Sequence, residues 1–175
     1  MEMEISILDL IQKLRTPLGD RVMCMITKLG NAGAIWIVLA LVLLLIPKTR
    51  RSGAVLLAAL AVDVVLCNLL LKPLVARVRP FEVNTAVQLL VAKPQDFSFP
   101  SGHTAASFAS AAALYLAGEK KLWKPVLVLA VLIAFSRLYL YVHYPTDVLG
   151  GAVLGSFAGY AGYRIMKKIW EKNIQ

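Results

Sequence analysis

Long apolar runs separated by short polar segments make up most of this 175-residue chain. The runs Ala32–Ile46, Ala54–Leu71 and Val126–Phe135 are mainly apolar, and a helix that crosses a membrane needs about 20 largely apolar residues. The pattern therefore predicts membrane-spanning helices. Five spans are predicted, at about residues 22–46 (or 30–46), 53–71, 101–117, 122–142 and 146–166.

The first 19 residues have a different pattern. Between Glu4 and Arg15, apolar side chains recur at helical spacing against charged ones, which is typical of an amphipathic helix lying on the bilayer surface. Pro17 and Gly19 are expected to end this helix. The predicted fold is an all-α integral membrane protein, a helical bundle of about five transmembrane helices plus an N-terminal interfacial amphipathic helix. Residues 1–19 form the interfacial segment and residues 20–175 a single transmembrane domain.

The composition supports a membrane protein. Apolar residues make up 59% of the chain, above the roughly 45–50% of soluble globular proteins. A net charge of +9 is compatible with nucleic-acid binding. The basic residues, however, lie at the edges of the predicted spans, so anionic lipid headgroups are the expected partners and nucleic acid is not.

Three short polar islands interrupt the apolar pattern, and each lies at the end of a predicted span. They are Lys72 to Arg79-Pro80, then Pro100-Ser101-Gly102-His103, and then Ser136-Arg137 followed by His143 and Asp147. Such groups are costly to place near lipid. With alternating spans, all three islands reach the same membrane face. We therefore predict that they meet in one site.

The cations and helix ends of these islands suit a phosphate group. Guanidinium groups match phosphate oxygens in a bidentate way, and the N–H groups at a helix start attract anions. Hydroxyl groups can donate further hydrogen bonds to phosphate oxygens. The predicted phosphate-binding residues are Lys72, Arg79, Ser101, Gly102, Ser136 and Arg137.

The two histidines and one carboxylate suit attack on that phosphate. Asp147 lies four residues after His143, close enough to accept a proton from one ring nitrogen and leave the other as a nucleophile. His103 could then protonate the leaving oxygen as a general acid. The predicted catalytic residues are His103, His143 and Asp147. No metal and no other cofactor is expected, because the sequence has no carboxylate cluster or zinc-ligand spacing.

The three islands resemble the motifs of the type 2 phosphatidic acid phosphatase superfamily, the metal-independent lipid phosphate phosphatases. That pattern is Lys, six residues, Arg-Pro; then Pro-Ser-Gly-His; then Ser-Arg, five residues, His, three residues, Asp. Every position of it is present, and the resemblance covers about residues 50–168. It implies that His143 forms a phosphohistidine, Asp147 orients it, and His103 protonates the leaving group and later activates water. The family usually has six spans, and here the 4–15 helix replaces the first.

The resemblance implies dephosphorylation of a membrane lipid phosphate or pyrophosphate. Undecaprenyl pyrophosphate is the first candidate substrate, and phosphatidylglycerophosphate or phosphatidic acid is the nearest alternative. Phosphoryl transfer between lipids and noncatalytic lipid binding are further alternatives. The oligomeric state is left open.

The charges also predict an orientation. The 47–51 and 118–124 turns and the C-terminal tail share one side and carry ten basic residues. The other side carries nine, of which three belong to the polar islands. The positive-inside rule then puts the turns in the cytoplasm. We expect a protein of the bacterial cytoplasmic membrane with its active site facing the periplasm.

Three features have more than one interpretation. Arg77 is either a substrate contact or a neighbour outside the site. Asp63 lies in the middle of an apolar run and is either functional or paired with a polar neighbour such as Asn68. Gly151, Gly155 and Gly159 recur every four residues, which favours close helix packing within one protomer, with dimerisation as the alternative.

Overall fold

A computed structural model describes residues 2–172, which form helices and turns without a β-strand. Met1 and residues 173–175, at the outer ends of the two predicted segments, lie outside the described residues. The all-helical prediction is confirmed. The α-helices of the described part are α1 (Glu2–Gln12), α2 (Pro17–Leu29), α3 (Ala34–Leu45), α4 (Arg50–Asp63), α5 (Lys72–Val75), α6 (Pro80–Val83), α7 (Gly102–Leu116), α8 (Trp123–Tyr139) and α9 (Pro145–Lys172).

The amphipathic segment forms α1, as its spacing predicts, but Pro17 has a different role from the one expected. It begins α2, where a proline without an N–H group fits the first turn. Thr16 caps this helix, because its hydroxyl accepts a hydrogen bond of 3.1 Å from the Gly19 N–H. Pro17 therefore starts a helix instead of ending one, and four residues separate it from the end of α1.

The first predicted span is a bent pair of helices. A single 3₁₀ turn, Asn31–Gly33, separates α2 from α3, and the two helices meet at a bend of 46°. Ala32 and Gly33 have φ angles of 50° and 68°, which a continuous helix does not allow. At this break Asn31 contacts His103 through its amide oxygen, where a continuous helix would present an apolar surface.

The second span is longer than predicted. After α4 the chain continues through a π-helical stretch, Val64–Leu71, into α5. Lys72 therefore lies inside a helix and not at the start of a loop. Pro73 cannot donate the N–H that a regular helix requires, and the widened turns lie directly before it. Ala76, with a φ of 47°, ends this long segment.

Glycines allow α7 and α9 to lie unusually close together. A Cβ added at Gly151 would lie 2.7 Å from the Ser101 carbonyl oxygen, and one added at Gly159 would lie 2.8 Å from the Ala109 carbonyl oxygen. Both glycines are buried in this interface. Packing within one protomer, the favoured interpretation of the glycine repeat, is confirmed.

Helix length and hydropathy support fewer spans than five. Among the described residues, one helical segment, Arg50–Val83, is long and apolar enough to cross a membrane, and the bent pair from Pro17 to Leu45 would be a second. The helices α7 and α8 have 15 and 17 residues. The five-span arrangement therefore stays a prediction.

Candidate active site

A cavity of about 760 Å³ opens among the break after α2, the α4–α5 segment, the 90–96 loop and the starts or ends of α7 and α8. It brings together groups that are up to 116 residues apart in sequence (His143 minus Thr27). Six of the nine predicted site residues line it: Lys72, Arg79, Gly102, His103, Arg137 and His143.

His143 lies in the loop between α8 and α9 and is 1% exposed. Its Nδ1 atom is 3.5 Å from the Asp147 Oδ2 atom, and its Nε2 atom is 3.3 Å from the Arg79 Nη1 atom. Burial lowers the pKa of His143 to about 3, although the Asp147 carboxylate raises it. The imidazole is therefore neutral at neutral pH, with Asp147 beside one nitrogen and the second nitrogen beside Arg79 at the cavity.

Asp147 is completely buried behind His143. Its Oδ2 atom accepts hydrogen bonds from the Ser98 hydroxyl (2.5 Å) and the Tyr144 N–H (2.8 Å). Its Oδ1 atom accepts one from the Arg77 guanidinium at 2.5 Å. A buried carboxylate is costly unless it is paired and hydrogen-bonded, and here both oxygens have partners.

Arg79 is fixed by the backbone as well as by charge. Its guanidinium donates to the carbonyl oxygens of Val142 (2.6 Å) and Asp96 (2.8 Å) and to the Asp96 carboxylate (2.7 Å). The Val142 carbonyl belongs to the residue directly before His143. Arg79 thus holds the loop that carries the imidazole at the same time as it faces the cavity.

Asp96 bridges two of the predicted phosphate-binding cations. Its Oδ2 atom is paired with the Lys72 ammonium group, and its Oδ1 atom is 2.7 Å from the Arg79 Nη2 atom. The Asp96 side chain is half-exposed, whereas both cations are buried. A carboxylate of the chain itself, that of Asp96, therefore lies where the sequence predicts that phosphate oxygens bind.

Arg137 reaches the cavity from the last turn of α8. It is 4% exposed, and its Nη1 atom donates to the Thr27 hydroxyl at 2.5 Å. Its Nε–H group is buried and has no hydrogen-bond partner. Leaving a buried donor unpaired is unfavourable, so an anion at this position would satisfy it.

His103 lies at the start of α7 and lines the same cavity as His143. Its Nε2 atom is 2.9 Å from the Asn31 amide oxygen, and a Cβ added at Gly30 would come within 2.9 Å of its ring. The backbone carbonyl of His103 accepts a hydrogen bond from the Ser107 hydroxyl, which in turn accepts one from Trp36. The break after α2 thus orients the second imidazole.

The two predicted serines are not on the cavity wall. Ser101 occupies the N-cap position of α7 and is buried; its hydroxyl accepts a hydrogen bond of 3.0 Å from the Thr104 hydroxyl. The Ser136 hydroxyl donates to the Ile133 carbonyl within its own helix at 2.6 Å. The start of α7 nevertheless faces the cavity through the backbone of Gly102.

The structure also places Asp63 and Arg77, the two charged residues that the sequence left with more than one interpretation. Asp63 and Asn68 both line the cavity; Asp63 is 3% exposed, and one of its carboxyl oxygens has no hydrogen-bond partner. Arg77 lies behind the site, in contact with Asp147, and does not line the cavity. Within residues 2–172, no three His, Cys, Asp or Glu side chains are grouped closely enough to hold a metal ion.

Four residues at the site were not predicted: Thr27, Asn31, Asp96 and Ser98. The sequence offers a signal for one of them, since Asn31 interrupts an apolar run. The contacts of the others depend on how distant segments fold against each other, which local patterns do not show.

Comparisons with known proteins agree with this geometry. Residues 52–171 match the family model described as the PAP2 superfamily. The undecaprenyl-diphosphatase of Sulfolobus acidocaldarius is 35% identical over 75% of this chain and 63% of its own length. The undecaprenyl-diphosphatase of Bacillus subtilis is 30% identical over 83% of this chain and 74% of its own length. The chain thus spans less than two thirds of the first of these two relatives.

A solved structure has the same fold. The transmembrane PAP2-type phosphatidylglycerolphosphate phosphatase of Bacillus subtilis superposes with a TM-score of 0.77 at 29% identity, over 96% of this chain and 86% of that one. The described helices therefore have the arrangement of an integral membrane enzyme.

Proposed function

The chain belongs to the PAP2 superfamily, and from that premise we propose that it removes a phosphate group from a membrane lipid. The first candidate substrate is an isoprenoid diphosphate, with undecaprenyl diphosphate converted to undecaprenyl phosphate. One observation carries the proposal: the three predicted phosphate-binding cations, two imidazoles and a helix N-terminus line the same cavity. Two relatives are named undecaprenyl-diphosphatases.

In the first step, the terminal phosphoryl group binds among Lys72, Arg79 and Arg137. The Nε2 atom of His143 attacks the phosphorus, so that a P–N bond forms while the P–O bond to the lipid phosphate breaks. Protonated His103 gives its proton to the leaving oxygen. Asp147 keeps the proton of His143 on Nδ1, which leaves Nε2 without a proton.

In the second step, neutral His103 takes a proton from a water molecule. The water oxygen attacks the phosphorus, the P–N bond breaks, and inorganic phosphate and free His143 result. The fixed cations stabilise the charge on the phosphoryl oxygens in both steps. A metal ion, which serves this purpose in many other phosphatases, is not needed in this scheme.

The nearest alternative substrate is a diacyl phospholipid with a terminal phosphate, such as phosphatidylglycerophosphate. The Bacillus subtilis structure that shares this fold is named for that activity. Both lipids present a phosphate on an apolar tail. The cavity wall contains the apolar side chains of Ile37, Leu60 and Val64 next to the charged groups, which fits either one.

The membrane arrangement is part of the proposal. Three exposed apolar side chains on α1, Met3, Ile7 and Leu10, lie at helical spacing on one face, where they can enter the lipid surface, and the exposed Leu14 follows in the turn after the helix. Five crossings would then place the cavity on the outer face of a bacterial cytoplasmic membrane. The excess of basic residues on the opposite turns supports this orientation.

Release of inorganic phosphate from a panel of lipids tests the proposal. Purified protein in detergent with EDTA is expected to act on undecaprenyl diphosphate faster than on phosphatidylglycerophosphate or phosphatidic acid. The His143→Ala variant is expected to be inactive. A requirement for magnesium, or activity that persists in His143→Ala, would contradict the mechanism.

A further inference from the structure

The Arg77 guanidinium contacts the Asp147 carboxylate and does not line the cavity that His143 faces. It donates to the Asp147 Oδ1 atom at 2.5 Å and to the Thr146 hydroxyl at 2.7 Å. Its second terminal nitrogen donates to the Glu4 carboxylate at 2.6 Å. The guanidinium carbon is 3.9 Å from the centre of the Tyr144 ring. Arg77 is thus held on several sides.

Glu4 connects this arginine to α1 and to the start of α9. Its Oε1 atom accepts hydrogen bonds from the Thr146 N–H (3.1 Å) and hydroxyl (2.6 Å). Burial raises the pKa of Glu4, but the hydrogen bonds from Thr146 and Arg77 outweigh it and leave that pKa below its usual value. The carboxylate therefore stays charged and keeps its hold on Arg77.

A second contact joins α1 to the loop that carries His143. The Tyr141 hydroxyl donates to the Asp9 carboxylate at 2.7 Å, and Leu8 is buried against the same loop. Tyr141 has a φ of 60°, a backbone conformation that persists only when surrounding contacts enforce it. Both members of the His143–Asp147 pair thus have a connection to α1.

We propose that Arg77, held by Glu4 of the N-terminal helix, is a positioning residue that fixes the Asp147 carboxylate and through it the nucleophilic imidazole. This inference rests on the function proposed above. Arginine does not release its proton in proteins, so Arg77 takes no part in proton transfer. It restrains one carboxylate oxygen and leaves the other to face His143.

Turnover measurements on variants of Arg77 and Glu4 test the inference. Loss of a charge-assisted hydrogen bond to a buried group is expected to lower kcat about 10- to 100-fold in Arg77→Gln, and KM should stay within about twofold. Arg77→Lys keeps the charge and should recover part of the lost rate. Glu4→Gln, one bond further away, is expected to lower kcat about 3- to 10-fold.

A matched control separates positioning from general loss of structure. Arg15 also forms a partly buried ion pair, with Asp20 at 2.9 Å, and does not contact Arg77 or the His143–Asp147 pair. Arg15→Gln should keep the kcat of the unmodified protein. If Arg77 acts through Asp147, then Arg77→Gln should change kcat less than about twofold in an Asp147→Asn background.

The outcomes distinguish this inference from the proposed function. An unmodified protein that releases no phosphate from any lipid of the panel contradicts the function itself. If the unmodified protein is active and the Arg77→Gln variant keeps its kcat, or shows a raised KM with kcat unchanged, the positioning role is contradicted. Equal and additive losses in the single and Asp147→Asn backgrounds would also overturn it.

Discussion

His143 lies between a carboxylate and a guanidinium, and burial decides its charge. The pKa is lowered to about 3, mainly by burial, so the imidazole can act as a nucleophile at neutral pH without first losing a proton. The Asp147 carboxylate opposes this shift but does not cancel it. Burial of His143 therefore keeps its ring unprotonated, which is the form that can attack phosphorus.

This shift predicts a pH-dependent stability. Between the usual pKa of 6.5 and about 3, the unfolded chain holds a proton on this imidazole and the folded chain does not. The free energy of unfolding therefore falls as the pH falls through this window. In detergent, the Tm of the unmodified protein should fall further between pH 7.5 and 4.5 than the Tm of the His143→Asn variant. Equal falls in Tm would contradict the lowered pKa of His143.

Asp96 predicts competition with phosphate. Because its carboxylate is paired with Lys72 and Arg79, an incoming phosphate has to displace it. Asp96→Asn should therefore bind inorganic phosphate about 3- to 10-fold more tightly, measured as competitive inhibition of turnover. Glu82→Gln is the control, since the Glu82 carboxylate accepts a hydrogen bond from the backbone N–H of Arg79. Unchanged or weaker inhibition in Asp96→Asn would show that Asp96 does not compete for these cations.

At the scale of helices, the site depends on where each one starts or ends. The start of α7 is joined to the start of α9, because the Ser101 N–H donates to the Asp147 carbonyl oxygen at 3.1 Å. Close packing of α7 on α9 supports this join. A change in that packing should therefore affect both stability and the site.

Gly155 tests the packing of these two helices. A Cβ added there would overlap the Ala105 carbonyl group of α7, and overpacking typically costs about 1–3 kcal/mol. Gly155→Ala is expected to lower the Tm in detergent by about 3–10 °C. Ser156→Ala, on the exposed face of the same helix, should leave the Tm unchanged. Equal Tm values for the two variants would contradict the packing.

Local sequence patterns predict the helices and the three polar islands, because each depends on residues close in the chain. The π-helical stretch before Pro73 and the bend at Asn31 were not predicted, since both depend on packing between helices. The same applies to Arg77, whose two carboxylate partners lie 73 and 70 residues away. Sequence spacing could identify Arg77 as near the site, but not which side of Asp147 it occupies.

On the scale of the whole molecule, the two ends of the bundle differ. One end holds the cavity and α1. At the other, the Ser52 hydroxyl donates to Glu119 at 2.6 Å, and Arg51 lies 5.4 Å from the Trp170 ring. These contacts bring the start of α4, the turn after α7 and the end of α9 together. The basic turns of the sequence therefore share one end.

The orientation of the two ends can be measured directly. With Cys24 and Cys67 replaced, a single cysteine at Lys93 is expected to react with a membrane-impermeant thiol reagent in intact cells. A cysteine at Lys120 should react only after the membrane is opened. The reverse pattern would place the cavity on the cytoplasmic side.

Trapping of the phosphoenzyme tests the central claim most directly. Lipid diphosphate labelled in its terminal phosphate is mixed with the protein, quenched in alkali, and the labelled peptide is identified by mass spectrometry. The account predicts an alkali-stable, acid-labile phosphoryl group on His143 that is absent from His143→Ala. Label on any other residue, or undiminished turnover in His143→Ala, would contradict it.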